Sequence, residues 1–130
     1  MQTNELYQAI ETYFAATRSQ DKVTQMVACF TPDAVCYDPA DGPALLGREG
    51  LRQFFQSITD LFQEVGLTAD FISVNGQVAA AKWTGKGTGK NGRVVVFEGI
   101  DVFEFAPDGK FQTMRAYWNP AAMLAILQAD

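Results

Sequence analysis

The apolar positions of this chain change their spacing close to residue 66. Before that point they recur every three or four residues, which is typical of helices with one buried face. After it they alternate with polar residues, as they do in half-buried strands. The first half predicts three helices, which run from Thr3 to about Ser19, over residues 22–30, and from about Arg48 to about Val65. The second half predicts four strands, over about residues 67–74, 77–88, 93–105 and 111–118.

Turn sequences between the predicted strands set their arrangement. NG at Asn75, KNG at Lys90 and PDGK at Pro107 are typical of hairpins, so the four strands should form an antiparallel meander. A short strand over Ala34–Asp38 precedes the third helix, and a last turn or helix covers NPAAMLAILQ. Helices followed by strands indicate the α+β class, in which helices pack on one face of a curved, mainly antiparallel sheet. No linker or repeat interrupts the chain, and we expect residues 1–130 to form a single domain.

One predicted strand, RVVVFEGIDVFEF, carries an aspartate in its interior. Alternation places Asp101 on the same face as Phe97, Phe103 and Phe105, which is the more apolar face. A carboxyl group buried there would hold its proton near neutral pH and could donate a hydrogen bond, because burial penalises the charged form. The alternative is an aspartate at a sheet edge, solvated or paired with a lysine or arginine.

Composition limits the classes of partner. The chain has a net charge of −5, 48% hydrophobic and 19% charged residues, and its lysines and arginines form no cluster. These values argue against a nucleic-acid groove or an anionic membrane surface and leave a small neutral ligand as the natural partner. No apolar run approaches the roughly 20 residues of a membrane span, and MQTNELYQAI does not resemble a signal peptide, so we expect a cytoplasmic protein.

The absence of histidine removes several kinds of chemistry at once. Ser-His-Asp and Cys-His catalysis and the usual imidazole metal sites are excluded, so proton transfer must use Asp, Glu, Tyr, Lys or Cys. Cys29 and Cys36 are isolated and should be buried thiols rather than a disulfide or redox pair. The segment DPADG lacks the alternating acidic ligands of a calcium loop, and GKGTGK lacks the spacing of a phosphate loop. We therefore expect no cofactor and no metal.

Three residues with acid–base chemistry lie on different predicted elements: Tyr13 on the inner face of the first helix, Asp38 at the end of the first strand, and Asp101. The sequence around them resembles the bacterial ketosteroid isomerases (steroid Δ5-isomerases) of the nuclear transport factor 2-like (NTF2-like), or SnoaL-like, superfamily. The resemblance covers nearly the whole chain and rests on YFAA at Tyr13, CFTPDAVCYDPADG around Asp38, LRQFF in the third helix, GIDVFEF at Asp101 and MRAYW at Met114.

The resemblance implies a cone-shaped fold with a deep apolar pocket between helices and sheet, a small hydrophobic substrate, and a homodimer formed through the sheet. It also implies roles for three residues. Asp38 would be the general base that moves a proton from C4 to C6 of a 3-oxo-Δ5-steroid, while Tyr13 and Asp101 would donate hydrogen bonds to the dienolate oxygen. The resemblance also implies that Asp101 is a carboxylic acid kept neutral for this purpose, which is a known property of that family.

The chain departs from the family in two places. Phe30 and Phe55 occupy positions where some members carry tyrosines that support the oxyanion tyrosine. The strand AAAKWTGKGTGKNG is more polar and richer in glycine than its counterpart, and its glycines would either widen a pocket or permit close packing. Lys82 and Lys86 on that strand should be solvated, and Asp41 should be a turn residue rather than a rival base.

Six further side chains could line an apolar pocket, although in bare sequence such residues are more often core. The candidates for substrate binding are Phe54, Phe55, Phe97, Phe103, Met114 and Trp118. The first functional hypothesis is a cofactor-independent isomerase that shifts a C=C bond of a hydrophobic ketone. The alternatives are a SnoaL-like polyketide cyclase activity and a non-catalytic module for small-ligand binding or dimerisation on the same fold.

Overall fold

The computed structural model describes residues 2–129. Its helices and strands, numbered along the chain, are α1 (Thr3–Thr17), α2 (Lys22–Val27), β1 (Phe30–Tyr37), β2 (Leu45–Leu46), α3 (Gly47–Thr59), β3 (Phe62–Asn75), β4 (Val78–Gly89), β5 (Val94–Phe105), β6 (Phe111–Tyr117) and α4 (Pro120–Leu127). Helices pack on a single sheet, so the predicted α+β class is confirmed.

The strands within residues 2–129 form one open sheet in the order β2-β1-β6-β5-β4-β3. Strands β3 to β6 form the predicted antiparallel meander, and β1 joins it by pairing in parallel with β6. The sheet is therefore mixed but mainly antiparallel. β5, which carries Asp101, lies between β6 and β4, so the alternative of an aspartate on an edge strand is wrong.

The first helix closes one side of the core. Its inner face carries residues at helical spacing that are almost completely buried, as the sequence predicts: Leu6, Ile10, Tyr13, Phe14 and Thr17. α1 packs on β3 and α3 packs on β1, which leaves space between the helices and the concave side of the sheet. Among the described residues, no helix is long and apolar enough to cross a membrane.

The structure corrects the predicted boundary between α2 and β1. The helix ends at Val27 rather than at residue 30, and the strand begins at Phe30, four residues before the predicted start. Residues 31–33 (TPD), which fall between the predicted helix and the predicted strand, lie inside β1 where the register with β6 shifts. A strand tolerates proline at such an irregularity because the ladder there needs no N–H donor.

The structure also shortens the third helix. α3 ends at Thr59, and the residues predicted as its last turn begin β3 at Phe62. As part of β3, Phe62 packs its ring over Gly87 of β4, where a Cβ would come within 2.6 Å of it. The close-packing interpretation of the β4 glycines is thereby confirmed. The short strand β2 was not predicted.

Candidate active site

A cavity of about 580 Å³, including its open mouth, lies between the helices and the concave face of the sheet. Its wall is mainly apolar, and it contains all three residues predicted to carry acid–base chemistry. The lining residues are Tyr13, Thr17, Lys22, Met26, Asp38, Phe54, Phe55, Ile58, Thr59, Val65, Gly66, Leu67, Trp83, Phe97, Asp101 and Trp118.

Tyr13 is held in the cavity wall by its aromatic neighbours. The rings of Phe14, Phe30, Phe103 and Phe111 meet it edge to face, with centroids 5.3 to 5.7 Å away. Its hydroxyl donates a long hydrogen bond of 3.8 Å to the sulfur of Met114. Because a thioether is a weak acceptor, this contact leaves the hydroxyl available to a stronger acceptor such as a ligand oxygen.

Asp38 reaches the cavity because it follows β1, which runs parallel to β6. Parallel strands end at the same edge of a sheet, so the residues that follow β1 and β6 come together there. The indole Nε1 of Trp118, directly after β6, donates a hydrogen bond of 2.7 Å to Oδ1 of Asp38. The backbone of the following loop is also tied to β6, through Ala40 N and Ala116 O at 2.7 Å. One oxygen of Asp38 is thus fixed at the cavity wall.

Asp101 is inserted into the cavity wall from the middle of the sheet and is only 3% exposed. Its partners in register are Ala81 on β4 and Ala116 on β6, and residues directly opposite one another share a face. The two methyl side chains leave room for the carboxyl group between them. The indole Nε1 of Trp83 donates a hydrogen bond of 3.0 Å to Oδ1 of Asp101.

Burial separates the protonation states of the two aspartates. Desolvation raises the pKa of Asp38 to about 7, and the hydrogen bond from Trp118 limits that rise. Desolvation and, after it, the charge of Asp38 raise the pKa of Asp101 well above its ordinary value, opposed by the hydrogen bond from Trp83. Burial also keeps the pKa of Tyr13 well above 10. The cavity therefore holds one carboxyl group that titrates near neutral pH and two groups, Tyr13 and Asp101, whose protonated form is favoured by burial.

The six predicted substrate-binding residues divide into two groups. Phe54, Phe55, Phe97 and Trp118 line the cavity. Phe103 and Met114 are fully buried and are absent from the cavity lining, because they pack beneath it in the core that also holds Tyr13. Alternation along a strand gives the face of a residue but not its depth, so the sequence could not separate these groups.

Several lining residues were missed in the sequence. Trp83 is the most consequential, since it contacts a carboxyl group of the site. Its alternation on β4 places it on the inner face, a signal that was available. Lys22 also lines the cavity, donates a hydrogen bond to the Val65 carbonyl, and has a pKa lowered by burial.

Other candidate groups lie away from the cavity. Asp41 is exposed and absent from the lining. Lys82 lies outside the cavity with its side chain 36% exposed, as predicted, and it pairs with Asp70 at 2.9 Å and with Glu98 at 3.2 Å. Cys36 is buried as predicted, but the prediction for Cys29 is wrong, because its side chain is partly exposed. Within residues 2–129, no group of three or more Cys, Asp or Glu side chains is placed to hold a metal ion.

The chain is similar to proteins of two kinds, a steroid isomerase and a cyclase-like enzyme. Steroid Delta-isomerase of Nocardioides simplex is 27% identical to this chain over 100 residues, which are 76% of this chain and 78% of that protein. The structure of SalBIII, described as an epoxide hydrolase/cyclase-like enzyme in pyran ring formation in the polyether salinomycin, superposes with a TM-score of 0.80 and 26% identity. That superposition covers 89% of this chain and 92% of SalBIII.

The fold is shared more widely. An NTF2-like protein of unknown function from Burkholderia pseudomallei superposes with a TM-score of 0.81 and 19% identity, over 96% of this chain and 98% of that one. Residues 10–114 match the SnoaL-like domain family, and these residues are most of the chain. On this match, the protein belongs to the SnoaL-like domain family.

Proposed function

We propose that this protein is a cofactor-independent isomerase that moves a C=C bond of a 3-oxo-Δ5-steroid, or of a similar hydrophobic ketone, through a dienolate. The observation that carries the proposal is the meeting of Tyr13, Asp38 and Asp101 on the wall of one mainly apolar cavity. The similarity to Steroid Delta-isomerase of Nocardioides simplex supports the same reaction.

The reaction begins when the ketone oxygen at C3 accepts hydrogen bonds from the Tyr13 hydroxyl and the neutral Asp101 acid. The Asp38 carboxylate then removes a proton from C4. The electron pair of the broken C–H bond forms a C3=C4 double bond, and the C3=O electrons move onto oxygen. The two donors stabilise the negative charge at the atom where it develops, which is the main electrostatic contribution to such reactions.

The second half of the reaction returns the same proton. The dienolate re-forms the ketone, the double bond moves to C4=C5, and C6 takes the proton from Asp38. A base that gives its proton back works best with a pKa near the operating pH, and burial raises the pKa of Asp38 to about 7. The hydrogen bond from Trp118 occupies Oδ1 of Asp38, so Oδ2 is the oxygen available for proton transfer.

The test is the growth of conjugated-enone ultraviolet absorbance from 5-androstene-3,17-dione. The wild type should convert this substrate, and Asp38→Asn and Asp101→Leu should each reduce kcat at least about a hundredfold, the scale for losing a general base or an oxyanion donor. Asp41→Asn is the matched control, since Asp41 is exposed three residues from Asp38, and it should stay within about twofold of the wild type. Absence of wild-type turnover would reject steroid isomerisation.

A second candidate is the cyclase-type activity of this superfamily. The similarity to SalBIII, whose description includes cyclase-like activity, favours it, and aldol ring closure also needs a carboxylate base and donors to an enolate oxygen. A protein that fails to convert the steroid but exchanges the α-protons of other hydrophobic ketones in D2O, in an Asp38-dependent manner, would support this alternative. Ligand binding without either reaction would indicate a non-catalytic binding module.

We also propose that two copies of the chain associate through the outer face of the sheet. Outward side chains on β5 and β6 include four exposed apolar ones, Val94, Val96, Ile100 and Tyr117, each 43 to 59% exposed. The Glu98 carboxylate lies between Val96 and Ile100 on the same face and pairs with Lys82. Exposed apolar side chains edged by charged ones are typical of an interface. Sedimentation of the wild type should show a dimer that Ile100→Lys dissociates, and a wild-type monomer at micromolar concentration would contradict this.

A further inference from the structure

The hydrogen bond between Trp83 and Asp101 lies in the interior of the protein. The donor Nε1 and the acceptor Oδ1 are 3.0 Å apart, and the two residues are 2% and 3% exposed. Both residues line the cavity. A hydrogen bond in a water-poor site is stronger than one at a surface, so this contact constrains the carboxyl group.

The surrounding strand makes room for this contact. Trp83 on β4 stands opposite Gly99 on β5, two residues before Asp101. A Cβ at Gly99 would lie 2.6 Å from Cζ2 of Trp83 and 2.8 Å from Cβ of Trp118, distances that packed atoms do not adopt. The glycine therefore permits the indole to cross the neighbouring strand and reach the carboxyl group.

The indole contact distinguishes the two oxygens of Asp101. In a neutral carboxylic acid the carbonyl oxygen is the better acceptor, so an N–H fixed on Oδ1 favours the proton on Oδ2. No hydrogen bond among residues 2–129 uses Oδ2. We propose that Trp83 is a positioning residue, which holds Asp101 with its proton on Oδ2 and so presents that O–H to the cavity as a hydrogen-bond donor. Its effect on catalysis rests on the proposed function.

The indole of Trp83 supports Asp101 through a hydrogen bond, whereas the phenylalanines beside Tyr13 give its ring no such bond. Phe30 packs against the Tyr13 ring at 5.7 Å and Phe55 packs against Phe30, and neither ring can donate a hydrogen bond. The polar support in this cavity is instead on the acid. A donor to the carbonyl oxygen of an acid polarises its O–H group, because linked hydrogen bonds strengthen one another. Trp83 thereby makes Asp101 a better donor as well as a fixed one.

Infrared difference spectroscopy tests the proposal without any substrate. The C=O stretching band of the protonated acid is identified by its loss in Asp101→Leu. Trp83→Phe keeps an aromatic ring but removes the N–H, so this band should move to higher frequency. A band that does not move in folded Trp83→Phe protein would overturn the proposal. Because no turnover is involved, this result is independent of whether the protein is an isomerase.

A measurement on the wild type covers the case in which Trp83→Phe does not fold. The indole N–H resonances of Trp83 and Trp118 are followed by nitrogen-15 NMR and assigned with Trp118→Phe. The Trp83 resonance should lie downfield, as expected of a hydrogen-bonded indole, and should exchange slowly with D2O. A Trp83 N–H at the shift of a free indole would overturn the proposal.

Kinetics then separate positioning from packing. Trp83→Phe should lower kcat on the steroid about tenfold, the scale of one hydrogen bond, with KM changed less than about threefold. In the Asp101→Leu background the same substitution should have almost no further effect, because it acts through the acid. Equal losses in both backgrounds would mean that Trp83 only shapes the cavity. If the wild type does not convert the steroid but the infrared band shifts in Trp83→Phe, the isomerase proposal is rejected and the positioning role of Trp83 is retained.

Discussion

Replacing Asp38 with asparagine should make the protein more stable while it removes activity. The folded protein raises the pKa of Asp38 from 3.8 to about 7, chiefly because burial disfavours the carboxylate. A group that binds its proton more tightly in the folded state contributes fully to stability at low pH, and that contribution is lost as the pH rises. The wild type therefore loses stability between about pH 4 and pH 7, and the loss is complete above pH 7.

The size of the effect follows from the two pKa values. A difference of about 3 pH units, at about 1.4 kcal/mol for each, sets an upper limit of about 4 kcal/mol. Asp38 is only partly buried and faces a cavity open at its mouth, so solvent reduces this value and we expect about 2 kcal/mol. Asparagine does not titrate, and its side-chain oxygen can still accept the hydrogen bond from Trp118.

Urea unfolding at pH 5, 6, 7 and 8 measures the difference directly. The free energy of unfolding of Asp38→Asn minus that of the wild type should grow by about 1.3 kcal/mol between pH 5 and pH 8, because about a third of the total of about 2 kcal/mol is already lost below pH 5. The same difference for Asp41→Asn should stay flat, because Asp41 is exposed in the following loop. A difference for Asp38→Asn that varies by less than about 0.5 kcal/mol over this range would refute the burial argument.

The two indole donors and the Tyr13 hydroxyl give three further expected outcomes. Trp118→Phe removes the N–H that stabilises the Asp38 carboxylate. The rise of kcat/KM with pH should be centred near pH 7 in the wild type and at higher pH in this variant. A pH profile that does not move would contradict the role of Trp118. Gly99→Ala places a Cβ 2.6 Å from the Trp83 ring, so near-ultraviolet circular dichroism should change and kcat should fall about tenfold or more; an unchanged spectrum would mean that the indoles are not held as described. Tyr13→Phe keeps the ring packing and removes a hydroxyl whose one hydrogen bond among the described residues is to the sulfur of Met114. We expect kcat to fall about a hundredfold while Tm stays within a few degrees. A large fall in Tm would assign the hydroxyl a structural role.

The sequence predicted those features that depend on one element at a time. The buried face of α1 and the inward direction of Asp101 follow from the helical and strand periods. The end of α3 was missed because Leu61 and Phe62 continue its helical spacing. In the fold Phe62 instead belongs to β3 and packs over Gly87, a contact with another strand that the local pattern does not show.

The contacts within the site depend on register, which no local pattern supplies. Trp83 and Asp101 meet only because β4 and β5 pair with Ala81 opposite Asp101. The parallel pairing of β1 with β6 likewise brings Trp118 to Asp38, although 80 residues separate them in the chain. The residues of the site could thus be predicted individually, but their hydrogen-bond partners could not.

The proposed mechanism requires two aspartates in one cavity that hold their protons differently. Carbon-13 NMR of aspartate labelled at the side-chain carboxyl, with Asp38→Asn and Asp101→Asn used for assignment, measures both groups in the free protein. We expect Asp38 to titrate near pH 7 and the pKa of Asp101 to lie well above the ordinary range of an aspartate. An Asp101 signal that titrates in the ordinary range of an aspartate would contradict the proposed mechanism, because the cavity would then hold two carboxylates and only one neutral donor.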